Sequence, residues 1–477
     1  MKKHERKRRT SLNHEKTLMT EGPIAPILIR FALPLFFGNL FQQLYNAVDS
    51  LVVGNYCGDA ALAAVSSSGS LCHLLIGFFQ GVFMGASVII SRLYGAREDE
   101  EAQKAAHVTV FFSLCAGVLL SVLGVLFTPT ILTWMGTPEN VMPNSVAYFR
   151  VWCSGMLGLV LYNTTNGIFQ AFGDSRHPLY FLLISALTNV VLDLLFVAVF
   201  DWGVTGAALA TIIGQALSAL LGLAYLMSGR FVIQIRLNKI RPDGPLLKEI
   251  FHLGLPSGVQ NSAIAIANLV VQSNINAFGD AAMAGSGSYF KIEGFAFLPI
   301  TCLTMAMTTF VGQNIGAKRI DRVKRGAKLG AGMIVVLSEL VGVVFFLAAP
   351  YLIGLFSSTP EVIAFGVRHA RVTSLFFCLL GFSHASAAIL RGAGKTVTPM
   401  LVMMSVWCVF RIAYITVVVA LFHDITFVYT AYPVTWTISS VLYLITLLRG
   451  HWLPQGASQG GAAIGGTVQS KTPGTGR

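Results

Sequence analysis

An aspartate stands inside one of the most apolar stretches of the chain, at position 49. Polar residues recur every three or four positions through residues 31–54, namely Asn39, Gln43, Asn46 and Ser50. At this spacing they share one face of a helix, with Asp49 beside them. A carboxylate in a membrane span costs roughly 2.5 to 3.5 kcal/mol on insertion scales, so it normally faces protein or water and marks an ion or substrate path. Asp49 is therefore a candidate working residue. The alternative is a carboxylate that reaches the interface or is neutralised by a structural partner.

A second acid lies in a later apolar run, LTNVVLDLLF. Asn189 and Asp193 are four residues apart there, so their side chains share a helix face. Asp49 and Asp193 both stand a few residues before the end of a predicted helix, at the same membrane face. At 1.5 Å per residue they lie within about 5 Å of each other along the membrane normal. Thr211, in the next apolar run, lies at a similar depth, so the pattern predicts one shared cavity.

The chemistry of this set is that of a cation site. Carboxylate, amide and hydroxyl oxygens suit Na⁺, and two close carboxylates repel each other unless a proton or a cation neutralises them. The predicted cation-coupling residues are Asp49, Asn189, Asp193 and Thr211. The alternative for Asn189 and Thr211 is ordinary hydrogen bonding between helices. No cofactor is expected beyond a coupling H⁺ or Na⁺.

Five further ionisable residues fall within apolar runs: Lys291, Glu293, Glu339, His384 and Arg411. Glu293 and Arg411 come from different predicted spans and are interpreted as a structural charge pair that holds the second half together. Glu339 and His384 have no evident partner in the sequence. A lone histidine in an apolar run is more often a core residue than a proton relay.

The composition places these groups in a membrane protein. Of 477 residues, 54% are hydrophobic and only 11% are charged, against about 25% charged in an ordinary soluble domain. The net charge of +12 is concentrated in the ends and loops, which indicates a cytoplasmic surface near anionic lipid rather than nucleic-acid binding. The seven cysteines are scattered without a C-x-x-C pair, so neither a metal site nor a disulfide framework is predicted. No nucleophile–base constellation indicates an enzyme.

Twelve apolar stretches are long enough to cross a bilayer. They are predicted at 26–53, 60–91, 105–128, 143–171, 178–200, 204–228, 249–278, 282–313, 327–349, 362–390, 398–421 and 427–448. Basic residues collect in alternate loops, above all at 230–248 and 318–328. The positive-inside rule therefore predicts that both termini are cytoplasmic.

The two halves of the chain repeat each other. Short motifs recur at an offset of 221 or 222 residues: Leu33–Pro34 with Leu255–Pro256, Gly95–Ala96 with Gly316–Ala317, and Arg150–Val151 with Arg371–Val372. Asn39 and Asn46 likewise correspond to Asn261 and Asn268, whereas Val271 stands opposite Asp49. Six spans per half is an even number, so the halves share one orientation about a pseudo-two-fold axis along the membrane normal.

The predicted fold is thus an all-α integral membrane protein of twelve transmembrane helices in two six-helix lobes. The expected division is a basic tail at 1–20, an N-terminal lobe at 21–228, a cytoplasmic linker at 229–248, a C-terminal lobe at 249–450 and a disordered tail at 451–477.

These motifs together resemble one family. The first span carries A-L-P followed by L-Y-N-A-V-D, S-R-L-Y-G-A follows the second span, V-G-Q-N-I-G-A follows the eighth, and the fifth carries N-V-V-L-D. The combination, over about residues 20 to 450, resembles the multidrug and toxic compound extrusion (MATE) transporters, most closely their prokaryotic DinF-like branch. The resemblance implies a cation-linked site at Asp49, Asn189, Asp193 and Thr211. The NorM-like branch has an acidic residue in the seventh span, where this chain has only amides.

The resemblance also implies a function. The implied function is that of a secondary antiporter in the inner (plasma) membrane. It would export organic, often cationic and aromatic, compounds while H⁺ or Na⁺ enters, and rocking of the two lobes would drive the exchange. Candidate residues of the substrate cavity are Asn39, Gln43, Asn46, Asn261, Asn268, Gln272 and Met305. A packed core is the alternative for Met305. The expected partners are small-molecule drugs or toxic metabolites and the lipid bilayer, with the protein a monomer. The alternative function is a flippase for lipid-linked precursors or polysaccharides with a related fold.

Overall fold

The computed structural model describes residues 18–57, 59–139 and 141–453, and within these it leaves the side chains of 50, 57, 59–71 and 73 undescribed. The predicted tails, at 1–20 and 451–477, therefore lie mostly outside the described residues, as does the side chain of Ser50. Every regular element in the described ranges is helical.

The first half contains seven α-helices. They are α1 (Ile24–Cys57), α2 (Asp59–Gly95), α3 (Asp99–Trp134), α4 (Met142–Ser154), α5 (Met156–Ala171), α6 (Arg176–Asp193) and α7 (Gly203–Met227). A π-helical turn, Leu194–Val199, extends α6. Helices α4 and α5 meet at a bend of 49° and together form one predicted span.

The second half contains eight α-helices. They are α8 (Gly244–Asn276), α9 (Asp280–Gly316), α10 (Ile320–Gly354), α11 (Pro360–Ser374), α12 (Phe377–Gly392), α13 (Val397–Met403), α14 (Arg411–Phe422) and α15 (Ile425–Leu448). A π-helical turn, Met404–Phe410, joins α13 to α14. Helices α11 and α12 meet at a bend of 56°, so the broken span of the first half recurs in the second.

The helical segments follow the twelve predicted spans. In the part of the chain that the structure describes, nine helices are long and apolar enough to cross a bilayer, and counting each bent pair as one span raises the number to eleven. The twelfth segment is α8, which at 33 residues is long enough but carries six amides, at Gln260, Asn261, Asn268, Gln272, Asn274 and Asn276. These amides lower its hydropathy, and polar side chains inside a membrane span normally face protein or water rather than lipid.

The two lobes touch most closely where α2 crosses α8. Gly81 lies against the backbone of Gly258, and Gly85 lies against the backbone of Gly254. A Cβ at Gly81 would lie only 2.5 Å from the backbone of Ser257, closer than van der Waals contact permits. Glycine at these positions lets two helix backbones meet directly, as small residues do in membrane helix packing.

The first helix belongs to both lobes. Near its start, Leu28, Phe31 and Leu35 pack in the hydrophobic core of the second lobe, with residues of α9, α10 and α12. Further along, α1 packs against α6 and α7 of the first lobe. The linker is also docked, since Phe231, Ile233 and Ile235 are buried in a core of the first lobe.

Candidate functional site

Three helices of the first lobe bring the predicted acid site together. Asp49 lies on α1, Asn189 and Asp193 lie on α6, and Thr211 lies on α7. Helix α6 packs against both α1 and α7. The spacing of four residues between Asn189 and Asp193 places both side chains in this interface, where Asn189 is 3% exposed and Asp193 is fully buried.

The carboxamide of Asn189 connects Asp193 on α6 with the backbone of Thr211 on α7. Oriented to satisfy its neighbours, its nitrogen donates to Asp193 Oδ2 at 3.3 Å, and its oxygen accepts from the backbone N–H of Thr211 at 3.2 Å. The hydroxyl of Thr211 donates to the carbonyl of Ala207, one turn earlier on α7, at 3.0 Å. Asn189 therefore holds Asp193 in place and ties α6 to α7.

The two carboxylates lie within electrostatic range of each other and are not fully compensated. Asp49 and Asp193 are close enough for their charges to interact. One oxygen of each, Oδ1, is buried and has no hydrogen-bond partner among the described residues. Taking a carboxylate out of water without a partner is costly, so these oxygens are positions where a proton or a cation would be stabilised.

Tyrosines surround the acids, and the sequence reading did not single them out. Tyr45 and Tyr148 lie within electrostatic range of both Asp49 and Asp193, and Tyr162 lies beside Tyr45. The position of Tyr45, four residues before Asp49, is a signal that could have identified it. Tyr148 and Tyr162 come from α4 and α5, and no local pattern links them to the acids.

A π-helical turn begins directly after Asp193, and the other such turn in the described residues ends directly before the buried Arg411. A π-helical turn widens the helix and shifts the register of the side chains that follow it. Such turns are frequent at functional sites. In each lobe the irregular turn thus adjoins a buried charged residue.

The polar residues predicted to share one face of α1, and their repeat-related counterparts on α8, divide into two groups. Some lie at the interface between the lobes, and others are exposed. Asn39 donates to Cys302 Sγ on α9 at 3.4 Å, and Asn261 donates to the carbonyl of Gly77 on α2 at 2.9 Å. These repeat-related amides therefore both bridge the two lobes. Gln43, one turn beyond Asn39, lies next to Gly294 of α9.

The remaining cavity candidates are more dispersed. Asn46 and Asn268, again repeat-related, are both exposed in the middle of long helices. Gln272 donates to Asn276 Oδ1 on its own helix at 2.7 Å. Met305 is half-buried and packs against the core of the second lobe. The contact supports the core interpretation of Met305, whereas Asn46 and Asn268 are exposed.

Glu293 and Arg411 share a buried cluster but hold different partners. Glu293 accepts from Tyr289 Oη at 2.9 Å, and Arg411 donates to Thr435 Oγ1 at 2.9 Å and lies over the ring of Tyr432. Their charges interact, but among the described residues they do not approach within the 4.0 Å of a direct ion pair. Neutral hydroxyl groups and the ring of Tyr432 thus surround the two interacting charges.

The two unassigned ionisable residues have local roles. Glu339 Oε2 accepts from the backbone N–H of Cys378 at 2.9 Å, at the start of α12 where the bend leaves N–H groups without intrahelical partners. His384 packs edge-on against Phe297 and Trp407. The expectation of a core histidine fits this packing.

Comparison with known proteins adds to this geometry. The family model described as MatE matches residues 34–195 and again residues 256–417, so the two matches begin 222 residues apart, the offset of the internal repeat. The probable multidrug resistance protein YoeA of Bacillus subtilis is 28% identical over 443 residues, which cover 90% of this chain and 95% of the relative. The multidrug export protein MepA of Staphylococcus saprophyticus is 24% identical over 382 residues, which cover 80% and 84%.

A solved structure shows the same architecture. It is described as the outward-facing conformation of a multidrug resistance MATE family transporter of the MOP superfamily, and it matches with a TM-score of 0.85 at 24% identity, covering 90% of this chain and 97% of that one. The fold and the acid-bearing first lobe define a multi-pass membrane transporter of two helical lobes. The chain belongs to the MatE family.

Proposed function

We propose that the protein is a secondary multidrug efflux antiporter that exports organic compounds in exchange for H⁺ or Na⁺. The observation that carries this proposal is a pair of carboxylates within electrostatic range of each other, Asp49 and Asp193, each with a buried oxygen that lacks a hydrogen-bond partner among the described residues. Such a pair gains most from binding one monovalent cation. The names of the relatives, which describe multidrug resistance and export, support the choice of substrate class.

The exposed amides support the part of the proposal that concerns substrate binding. Asn46 and Asn268 occupy equivalent positions of the two repeats and are exposed at mid-helix. An amide at that depth is stabilised by a water-filled cleft rather than by lipid. The cleft between the lobes would then accept amphipathic organic cations. Asp49, on the same helix as Asn46, would connect the cleft to the ion site.

The charge distribution supports an orientation. The face that carries Arg97, Arg319 and Arg322, here called the basic face, would lie in the cytoplasm, with both termini there, and the protein would act in the plasma membrane as a monomer. Each cation that enters gains about 2.3 kcal/mol per 100 mV of membrane potential. Rocking of the two lobes about the cleft would couple that gain to drug export.

Transport by purified protein in liposomes tests this function. Export of a fluorescent organic cation should require a Na⁺ or a proton gradient, and Asp49→Asn should abolish it, because the amide keeps the size of the side chain but removes its charge. The matched control is Asp201→Asn, since Asp201 is an exposed aspartate with a left-handed φ of 56° that asparagine tolerates. Normal export by Asp49→Asn would contradict the proposal.

Measuring ion binding to the same purified protein identifies the coupling ion. If both ions use the shared site, lowering the pH should weaken Na⁺ binding, and Asp193→Asn should reduce that competition. Isothermal titration of Na⁺ at several pH values measures both effects. Na⁺ binding that does not depend on pH would exclude a shared site.

A further inference from the structure

A short segment before α1, Met19–Gly22, runs between the two lobes on the basic face, and we refer to it as the strap. Met19 is 3% and Thr20 is 4% exposed, so the first half of the strap is buried, whereas Glu21 and Gly22 are exposed. The backbone N–H of Met19 donates to Gln313 Oε1 at 2.8 Å, and Asn314 Nδ2 donates to the carbonyl of Met19 at 3.2 Å.

Two arginines of the second lobe hold every carbonyl of the strap. Arg322 donates through Nη1 to Gly22 at 2.7 Å, and through Nη2 to Glu21 at 3.1 Å and to Met19 at 3.2 Å. Arg319 donates to the carbonyl of Thr20 at 2.7 Å. Four consecutive carbonyls thus accept charge-assisted hydrogen bonds, which are about twice as strong as neutral ones.

The strap also reaches the first lobe. The carboxylate of Glu21 lies 3.7 Å from Arg97, in the loop after α2, and 3.5 Å from Arg319 of the second lobe. Gln313, which accepts from the strap, donates through Nε2 to the carbonyl of Ala171 at the end of α5, at 2.9 Å. The same few residues therefore link the strap to both lobes.

Under the strap, the ends of α2 and α9 are in backbone contact. Gly95 packs against the carbonyl of Gln313, and Gly316 packs against the carbonyl of Arg92. Opening the basic face would have to separate these helix ends, and it would also break the bonds between the strap and at least one lobe. The first residue of α1, Ile24, follows the strap after a single proline, so movement of the strap is transmitted to the helix that carries Asp49.

We propose that the strap is a latch that stabilises the state in which the basic face is closed, and that its release accompanies opening of that face. This inference rests on the proposed function in one respect, namely that the basic face lies in the cytoplasm and opens during transport. The hydrogen bonds and ion pairs of the strap oppose opening of the basic face, whichever drug or coupling ion is transported.

Distances between spin labels on the two lobes test the latch directly. Labels at Glu100→Cys and Lys324→Cys, both at exposed positions of the basic face, report its opening in a full-length variant whose native cysteines are replaced. The double variant Arg319→Ala/Arg322→Ala should raise the ratio of open to closed populations about tenfold, which corresponds to about 1.4 kcal/mol. Glu21→Gln, which removes only the two ion pairs, should give a smaller shift in the same direction.

The control is Arg325→Ala, because Arg325 is exposed on the same helix and, among the described residues, forms no hydrogen bond or ion pair with the strap. It should leave the distance distribution unchanged. Equal distributions in the wild type, the double variant and Glu21→Gln would overturn the latch, and so would a shift in Arg325→Ala as large as that in the double variant. The measurement needs neither drug nor ion gradient, so a failure of transport in liposomes and a failure of the latch are separate results.

Discussion

Asp193 is fully buried, whereas Asp49 is half-buried and lies on the helix that also carries the exposed Asn46. An ion that arrives from the cleft would therefore meet Asp49 before Asp193. Asn189 holds Asp193 against α7, so the deeper carboxylate is the fixed member of the pair. In the proposed ion site, Asp49 would therefore be the carboxylate on the side of the cleft, and Asp193 would be the carboxylate that Asn189 holds in place.

Glu293, a half-buried acid on α9, is expected to stabilise the second lobe. Glu293→Gln should lower the free energy of unfolding by about 2 kcal/mol, because it leaves the charge of Arg411 without its nearest counterion while Gln can still accept from Tyr289. The amount of folded protein should fall more than the transport rate per molecule. Thermal unfolding in detergent and liposome transport measure the two quantities. Unchanged unfolding together with lost transport would instead place Glu293 in the transport mechanism.

At the scale of elements, Asp243 connects the linker, α3 and α8. Its Oδ1 accepts from the backbone N–H of Leu246 and caps α8, and its Oδ2 pairs with Lys104 at 2.7 Å. The hydrogen bond from Lys104, followed by that from the backbone of Leu246, holds the pKa of the Asp243 carboxyl below its usual range. His107 accepts from the backbone N–H of Arg236 in the linker at 2.9 Å. The linker thus packs against the first lobe, and its Asp243 caps the first helix of the second lobe.

The lowered pKa of Asp243 makes its contribution depend on pH. Because the folded pKa lies below the unfolded one, the stabilisation is complete above the unfolded value and is lost as the pH falls through the folded value. Asp243→Asn should therefore lower the unfolding temperature at pH 7, and the difference from the wild type should shrink in acid. Asp321→Asn, at an exposed site in the first turn of α10, is the control. A difference that stays constant with pH would show that the charge of Asp243 contributes nothing.

At the scale of the whole molecule, the two lobes meet through α2, α8, α9 and the start of α1. The basic loops near Arg97 and Arg319 lie on one face, where the strap contacts both. The acid pair lies toward the opposite end of α1. Helix α1 packs in both lobes, so in the proposed mechanism it would connect the acid pair to the basic face.

The orientation of the molecule is tested by cysteine labelling in intact cells. In a variant without native cysteines, Asp280→Cys, at the exposed start of α9, should react with a membrane-impermeant reagent added outside. Arg325→Cys, at an exposed position of α10 on the basic face, should react only after the membrane is permeabilised. The reverse pattern would mean that the basic face lies outside.

Much of the architecture follows from the sequence alone. Apolar length determines the spans, because a bilayer demands about 20 apolar residues, and the repeat at 221 or 222 residues is matched by the two segments of the family match. The set Asp49, Asn189, Asp193 and Thr211 could be predicted, because ionisable residues in spans are rare and helical spacing shows which side chains share a face.

Other features depend on contacts between residues that are far apart in the chain. Tyr148 lies within electrostatic range of Asp49 and Asp193, and the strap contacts Arg322 across 300 residues. Periodicity shows which face of a helix is polar, but it does not show which helix that face meets. Only the packing of the lobes decided those partners, because the direction and register of each helix contact depend on the side chains of both helices.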